Sequence, residues 1–125
     1  MDLGPFAASL GLTLSSASGE EVVGDWRVTD GMLQPAGLLH GGVHCAVVET
    51  LASVGASLWL GDRGQIVGVA NSTDFFRASR PGDRLTSTAA PIHRGRSQQV
   101  WRVETRNANQ RLVAVGQVRL QNLTG

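Results

Sequence analysis

The chain has 125 residues, 42% of them apolar and 17% charged, with a net charge of +1. That is enough for one domain and too short for two ordinary ones, and its composition lies well away from that of disordered chains. No global field is present to recruit nucleic acid or an anionic membrane.

Phe6 to Leu12, started near Pro5 and ended by Gly11, reads as a short helix. Ser15 to Gly19 reads as a turn cluster. From Glu21 to Thr29 the pattern alternates, with Val22, Gly24, Trp26 and Val28 on one side, as in a half-buried strand. Residues 30–42 carry Gly and Pro and read as a loop. Val43 to Leu60 predicts the one long helix, small or apolar almost throughout, which must be covered nearly all round. His44 and Glu49 inside it favour a buried helix over a membrane span.

Strands and turns follow: Gln65–Phe76, the turn Arg80-Pro81-Gly82-Asp83, Leu85–His93, a break at Gly95, Gln98–Arg106, a turn at Asn107–Gln110, and Leu112–Leu123. Five strands and one buried helix imply an α+β domain spanning residues 1–125, with an antiparallel sheet wrapped around the helix. Open sheet edges and uncovered apolar area would be relieved in a homo-oligomer.

Charge is unevenly spread. All eleven basic residues are arginine; residues 77–111 hold eight of them against Asp83 and Glu104. Such a half suits a small phosphorylated ligand, and equally a solvated basic face. The single cysteine, Cys45, excludes an internal disulfide. The start Met1-Asp2-Leu3 does not read as a signal peptide, so a cytoplasmic location is expected and the Asn-X-Thr triplets at Asn71 and Asn122 carry no glycosylation meaning.

Glu49 is the only acid between Asp30 and Asp62 and lies inside the apolar helix. A carboxylate there is costly unless it is bonded, paired or used. Ser53, four residues on, shares its helix face; such a pair can hold a water for a general base, or simply help helices pack. His40-Gly41-Gly42 precedes the helix, where free N–H groups carry partial positive charge and can hold a carbonyl or an oxyanion. Gln34 offers a further amide donor. Metal ligation by His40, His44 and Glu49 is disfavoured, because Glu49 lies about 500° round the helix from His44. No G-x-S-x-G, G-x-x-x-x-G-K or G-x-G-x-x-G is present.

The segment QPAGLLHGGVHCAVVETLAS (34–53) resembles the active-site region of hotdog-fold acyl-CoA thioesterases. Within them it is similar to the arylacyl branch, with the glutamate-using 4-hydroxybenzoyl-CoA thioesterases and the 1,4-dihydroxy-2-naphthoyl-CoA hydrolases. VGVANSTDFFRASRPGD and PIHRGRSQQVW resemble the family's later strands. The resemblance implies a hotdog fold and an acyl-CoA substrate, with no cofactor, no metal and no nucleic-acid or membrane partner. It further implies a homodimer that forms the active site, with dimers pairing into tetramers. The Gly41 N–H would polarise the thioester carbonyl, and Gln34 would help orient it. His40 would support the loop, and Ser53 would orient the carboxylate or the water. Glu49 would be nucleophile or general base on a thioester held mainly by the neighbouring subunit. For substrate binding, the resemblance and the arginine-rich half suggest Gly42 together with Arg94, Gly95, Arg96 and Ser97, with Arg77 and Arg80 behind them. Residues 57–63 and 71–76 would line the acyl pocket. A non-catalytic acyl-CoA-binding domain and a hydratase of the same fold are the competing readings.

Overall fold

The computed structural model describes residues 1–124. Its elements are α1 (Gly4–Ser9), β1 (Thr13–Ala17), β2 (Val22–Arg27), α2 (Gly41–Leu60), β3 (Gly64–Phe75), β4 (Arg84–Arg94), β5 (Gln98–Asn107) and β6 (Leu112–Thr124). Short 3-10 turns lie at Asp30–Met32 and Gly61–Arg63. The six strands form one antiparallel sheet in the order β1-β2-β4-β5-β6-β3. This is the expected α+β plan, a sheet wrapped around one long helix.

The alternation read from the sequence decides which face meets the helix. Val22, Gly24, Trp26 and Val28 are buried, as are Trp101, Val103 and Thr105, and Ala114, Gly116, Val118 and Leu120. They close over Val47, Val48, Leu51, Ala52 and Ala56 of α2, all fully buried. The helix begins at Gly41, where the Nδ1 of His40 accepts from the Gly42 N–H at 2.8 Å. It ends at Gly61, whose φ of 62° is left-handed. Arg63 then caps the terminus, donating to the carbonyls of Leu60 at 2.9 Å and Trp59 at 2.7 Å.

Three expectations need correction. There are six strands, not five, because Thr13–Ala17 pairs with β2 through a ladder that overlaps the predicted turn cluster. The initial helix is shorter than read and lies at Gly4–Ser9. The long helix is not covered all round: the sheet takes one side, while Ala46, Glu49, Thr50 and Ser53 remain half-buried and Ser57 exposed. By length and composition α2 could cross a membrane, but half of the relevant window is packed inside this fold. The strand β3, twelve residues long, is a free edge of the sheet. Its exposed residues include Val67, Val69 and Phe75.

Candidate active site

The α2 N-terminus sets up the first cleft. Of the first helical N–H groups, that of Gly42 is taken by His40 Nδ1 and that of Val43 by the His40 carbonyl at 3.0 Å. The Gly41 N–H has no hydrogen-bond partner among the described residues. It is the donor left for a ligand at the positive end of a twenty-residue helix.

The loop before it is a tight structure rather than a flexible one. Gln34 N–H donates to the Leu38 carbonyl at 2.8 Å, Leu39 N–H to Ser79 at 2.9 Å, and His40 N–H to Met32 at 2.9 Å. The Gln34 Oε1 accepts from the Ala36 N–H, which leaves its amide NH2 as the unspent donor. Gln34 and Gly41 line a cleft of about 240 Å³ with Leu38, His44, Phe75 and Arg77. The Phe75 ring lies where a side chain on Gly41 would go, 2.7 Å from the position of a Cβ. Only glycine lets that ring and the helix start approach so closely.

Glu49 and Ser53 line a second cleft, of about 360 Å³, with Thr50, Val54, Ser57 and the N-terminal Met1, Asp2 and Leu3. Eight residues separate Gly41 from Glu49, roughly 12 Å along the helix axis. Within one chain the free N–H and the carboxylate therefore face different clefts. Glu49 Oε1 accepts from Asn71 Nδ2 at 3.2 Å, and Glu49 Oε2 occupies the space that a side chain on Gly68 would take. Both partners come from β3; the sequence places Asn71 only within a segment expected to line the acyl pocket, and assigns Gly68 no role. Nothing in the strand's alternation distinguishes them. His44 is a further residue of this region without a role assigned from sequence. It lies 5.7 Å from both Trp26 and Phe75, ring centre to ring centre.

The arginines do not form the single patch expected. Arg77 lines the Gly41 cleft. Arg94, Gly95 and Arg96 line a third cleft, of about 390 Å³, beside Trp59 and Arg63 at the opposite end of α2. Arg77 therefore does not stand behind Arg94–Ser97: β4 and the full length of the helix separate them. Arg94 is also committed, donating to the Gly19 carbonyl and to Glu20, both at 2.7 Å. Arg80 closes a turn through its main chain with Asp83, and Ser97 accepts from the Asn122 N–H at 2.8 Å through its carbonyl. The segments 57–63 and 71–76 likewise scatter instead of lining one cleft: Phe75 and Phe76 face the first, Ser57 the second, Trp59, Leu60 and Arg63 the third, and Ser72 and Asp74 a separate one beside Arg102. Among the described residues no group of three His, Cys, Asp or Glu side chains is placed to hold a metal ion.

With this geometry in hand, residues 36–114 match the Thioesterase superfamily. The crystal structure of S. sahachiroi AziG is 58% identical, covers 99% of this chain and 100% of its own, and superposes with a TM-score of 0.97. The Mycobacterium tuberculosis protein Rv1847 is 44% identical over 122 residues, covering 95% of this chain and 86% of its own. The 1,4-dihydroxy-2-naphthoyl-CoA hydrolase of Listeria monocytogenes is 30% identical over 107 residues, 86% of each chain.

Proposed function

The chain belongs to the thioesterase superfamily and is a thioester hydrolase, and from that premise we propose that it cleaves an aromatic acyl-CoA into the free acid and CoA. In this reading the Gly41 N–H holds the thioester oxygen and Gln34 steadies the acyl group. Glu49 attacks the carbonyl carbon or removes a proton from the attacking water, and Ser53 orients that carboxylate or water. His40 spends its ring on the helix start, fixing the direction of the Gly41 N–H.

The observation that carries the reading is the Gly41 N–H, which has no partner among the described residues at the start of α2, combined with a carboxylate and a hydroxyl lining one cleft on the same helix. A fixed donor at a developing oxyanion supplies on the order of 3 kcal/mol. A positioned base supplies about 100- to 10,000-fold. Because Gly41 and Glu49 open into different clefts of one protomer, a complete site needs a second copy, which brings its own Glu49 to this chain's Gly41. The half-buried face of α2 and the free β3 edge offer the surfaces for that copy. Phe75, Phe76 and the His44 ring around the Gly41 cleft favour a flat aromatic acyl group. Arg77 on that cleft, and Arg96 at the far one, are the cations available to CoA phosphates.

The test is turnover of benzoyl-CoA and 1,4-dihydroxy-2-naphthoyl-CoA by the wild type and by Glu49→Gln. The variant is expected to fold normally and to lose at least about 100-fold in kcat. Equal rates in the two proteins would remove Glu49 from the mechanism. Unfolding of the variant would make its carboxylate structural.

A further inference from the structure

Glu49 is held by a neighbouring strand and not by its own helix. In a regular strand alternate residues face alternate sides, so β3 would offer α2 either its even or its odd residues. A bulge changes this. The β3–β6 register runs Gly68↔Leu120 and then Ala70↔Arg119, which leaves Val69 as the extra residue. Before the bulge Ile66 packs on the core and Gly68 meets Glu49. After it Asn71 reaches the Cys45 carbonyl and Glu49, and Phe75 reaches Gly41. The parity switch brings Gly68 and Asn71 to the same carboxylate.

We propose that Asn71, locked by Thr73 and by the Cys45 carbonyl, is the positioning residue that sets the Glu49 carboxylate for thioester cleavage, with Gly68 providing the space in which it sits. The inference rests on Glu49 being the catalytic carboxylate. Every polar atom of the Asn71 amide is assigned. Its Nδ2 donates to Cys45 O at 3.0 Å and to Glu49 Oε1 at 3.2 Å, while its Oδ1 accepts from the Thr73 hydroxyl at 2.7 Å. Rotating the amide by half a turn would set its oxygen against the Cys45 carbonyl and the Glu49 carboxylate and lose both of those bonds, so Oε1 meets a donor of fixed direction. Oε2 accepts no hydrogen bond among the described residues and is left for the reacting water or carbonyl. Any side chain at position 68 would occupy the space of that oxygen.

The experiment compares Asn71→Leu, Asn71→Asp, Thr73→Val and Thr73→Ser with the wild type. Asn71→Leu is expected to lower kcat at least about tenfold with KM within about twofold, since a misplaced group costs rate more than binding. Asn71→Asp keeps the acceptor for Thr73 but sets a second carboxylate beside Glu49. The acid limb of its rate profile therefore moves to higher pH. Thr73→Val loses less, and Thr73→Ser recovers the wild-type rate. Wild-type kcat and pH profile in both Asn71 variants would overturn the proposal, as would kcat losses that merely follow a fall in Tm. Titration of the 13C-labelled Glu49 carboxyl gives a readout that needs no turnover. If Asn71→Asp leaves that titration unmoved, the positioning role fails. If the wild type cleaves no acyl-CoA at all, it is the functional reading that fails.

Discussion

A histidine sealed beneath aromatic rings resists taking a proton. His44 is 3% exposed, and its Nδ1 has no hydrogen-bond partner among the described residues. Burial lowers its pKa from 6.5 to about 4. The ring therefore stays neutral through the physiological range, a flat wall of the Gly41 cleft and not a charge within it. The same shift makes stability depend on pH. Between pH 6.5 and about 4 the unfolded chain binds a proton at this residue that the folded chain does not. The unfolded state then holds more protons, so stability falls as pH falls through that window and is fully retained above it. The shift is worth roughly 3 kcal/mol. Urea unfolding at a series of pH values is expected to show this decline in the wild type. His44→Phe keeps an apolar ring in place and should remove that part of the slope. Coincident slopes for the two proteins would show that another group titrates on unfolding.

At the scale of elements, the fit of α2 to the sheet is set by small residues. A Cβ on Gly55 would lie 2.5 Å from the Trp101 indole. That ring cannot step aside. Its Nε1 donates to Gln99 Oε1 at 2.8 Å, and Gln99 Nε2 donates to the Ala56 carbonyl at 3.2 Å and to Asn122 at 2.9 Å. Alanine is normally the better helix former by about 1 kcal/mol, but overpacking a rigid core costs about 1–3 kcal/mol. Gly55→Ala is therefore expected to lower the unfolding free energy, by on the order of 1 kcal/mol, as read from its urea midpoint. A raised midpoint would mean that Trp101 has room to move. These elements also mark what was legible beforehand. Apolar periodicity placed α2 and the inward faces of β2, β5 and β6, because burial on one side writes its period into the chain. It missed β1, whose exposed Ser15, Ser16 and Ala17 have no such period. It also missed the bulge in β3, since an extra residue looks like any other until its partner strand is known. Gln34, Gly41, Glu49 and Ser53 stand out in the sequence because their spacing is local, but that they divide between two clefts does not. The contacts of Asn71 and Gly68 with Glu49 are not visible there, because they arise only through tertiary pairing.

For the whole molecule, the separation of Gly41 from Glu49 has a consequence that no single-chain enzyme would share. A twofold dimer that completes the site uses the same pair of surfaces twice, so each of its two sites takes Glu49 from one protomer and Gln34 with Gly41 from the other. Two inactive variants can then repair each other. Glu49→Ala retains the Gly41 cleft, and Gln34→Ala retains the Glu49 cleft. In a mixed dimer one site inherits both lesions and the other inherits neither. Refolding the two together in equal amounts gives about half mixed dimers, each with one intact site, so about a quarter of wild-type activity should return. The parent variants, refolded alone, should remain near background. Recovery would be absent if each protomer carried a complete site, because both variants would then be defective whatever their partner. The same mixture run on a sizing column separates that outcome from a failure to associate. Mixed dimers without recovered activity would place the whole site within one chain, and monomers throughout would show that α2 and β3 meet no second copy.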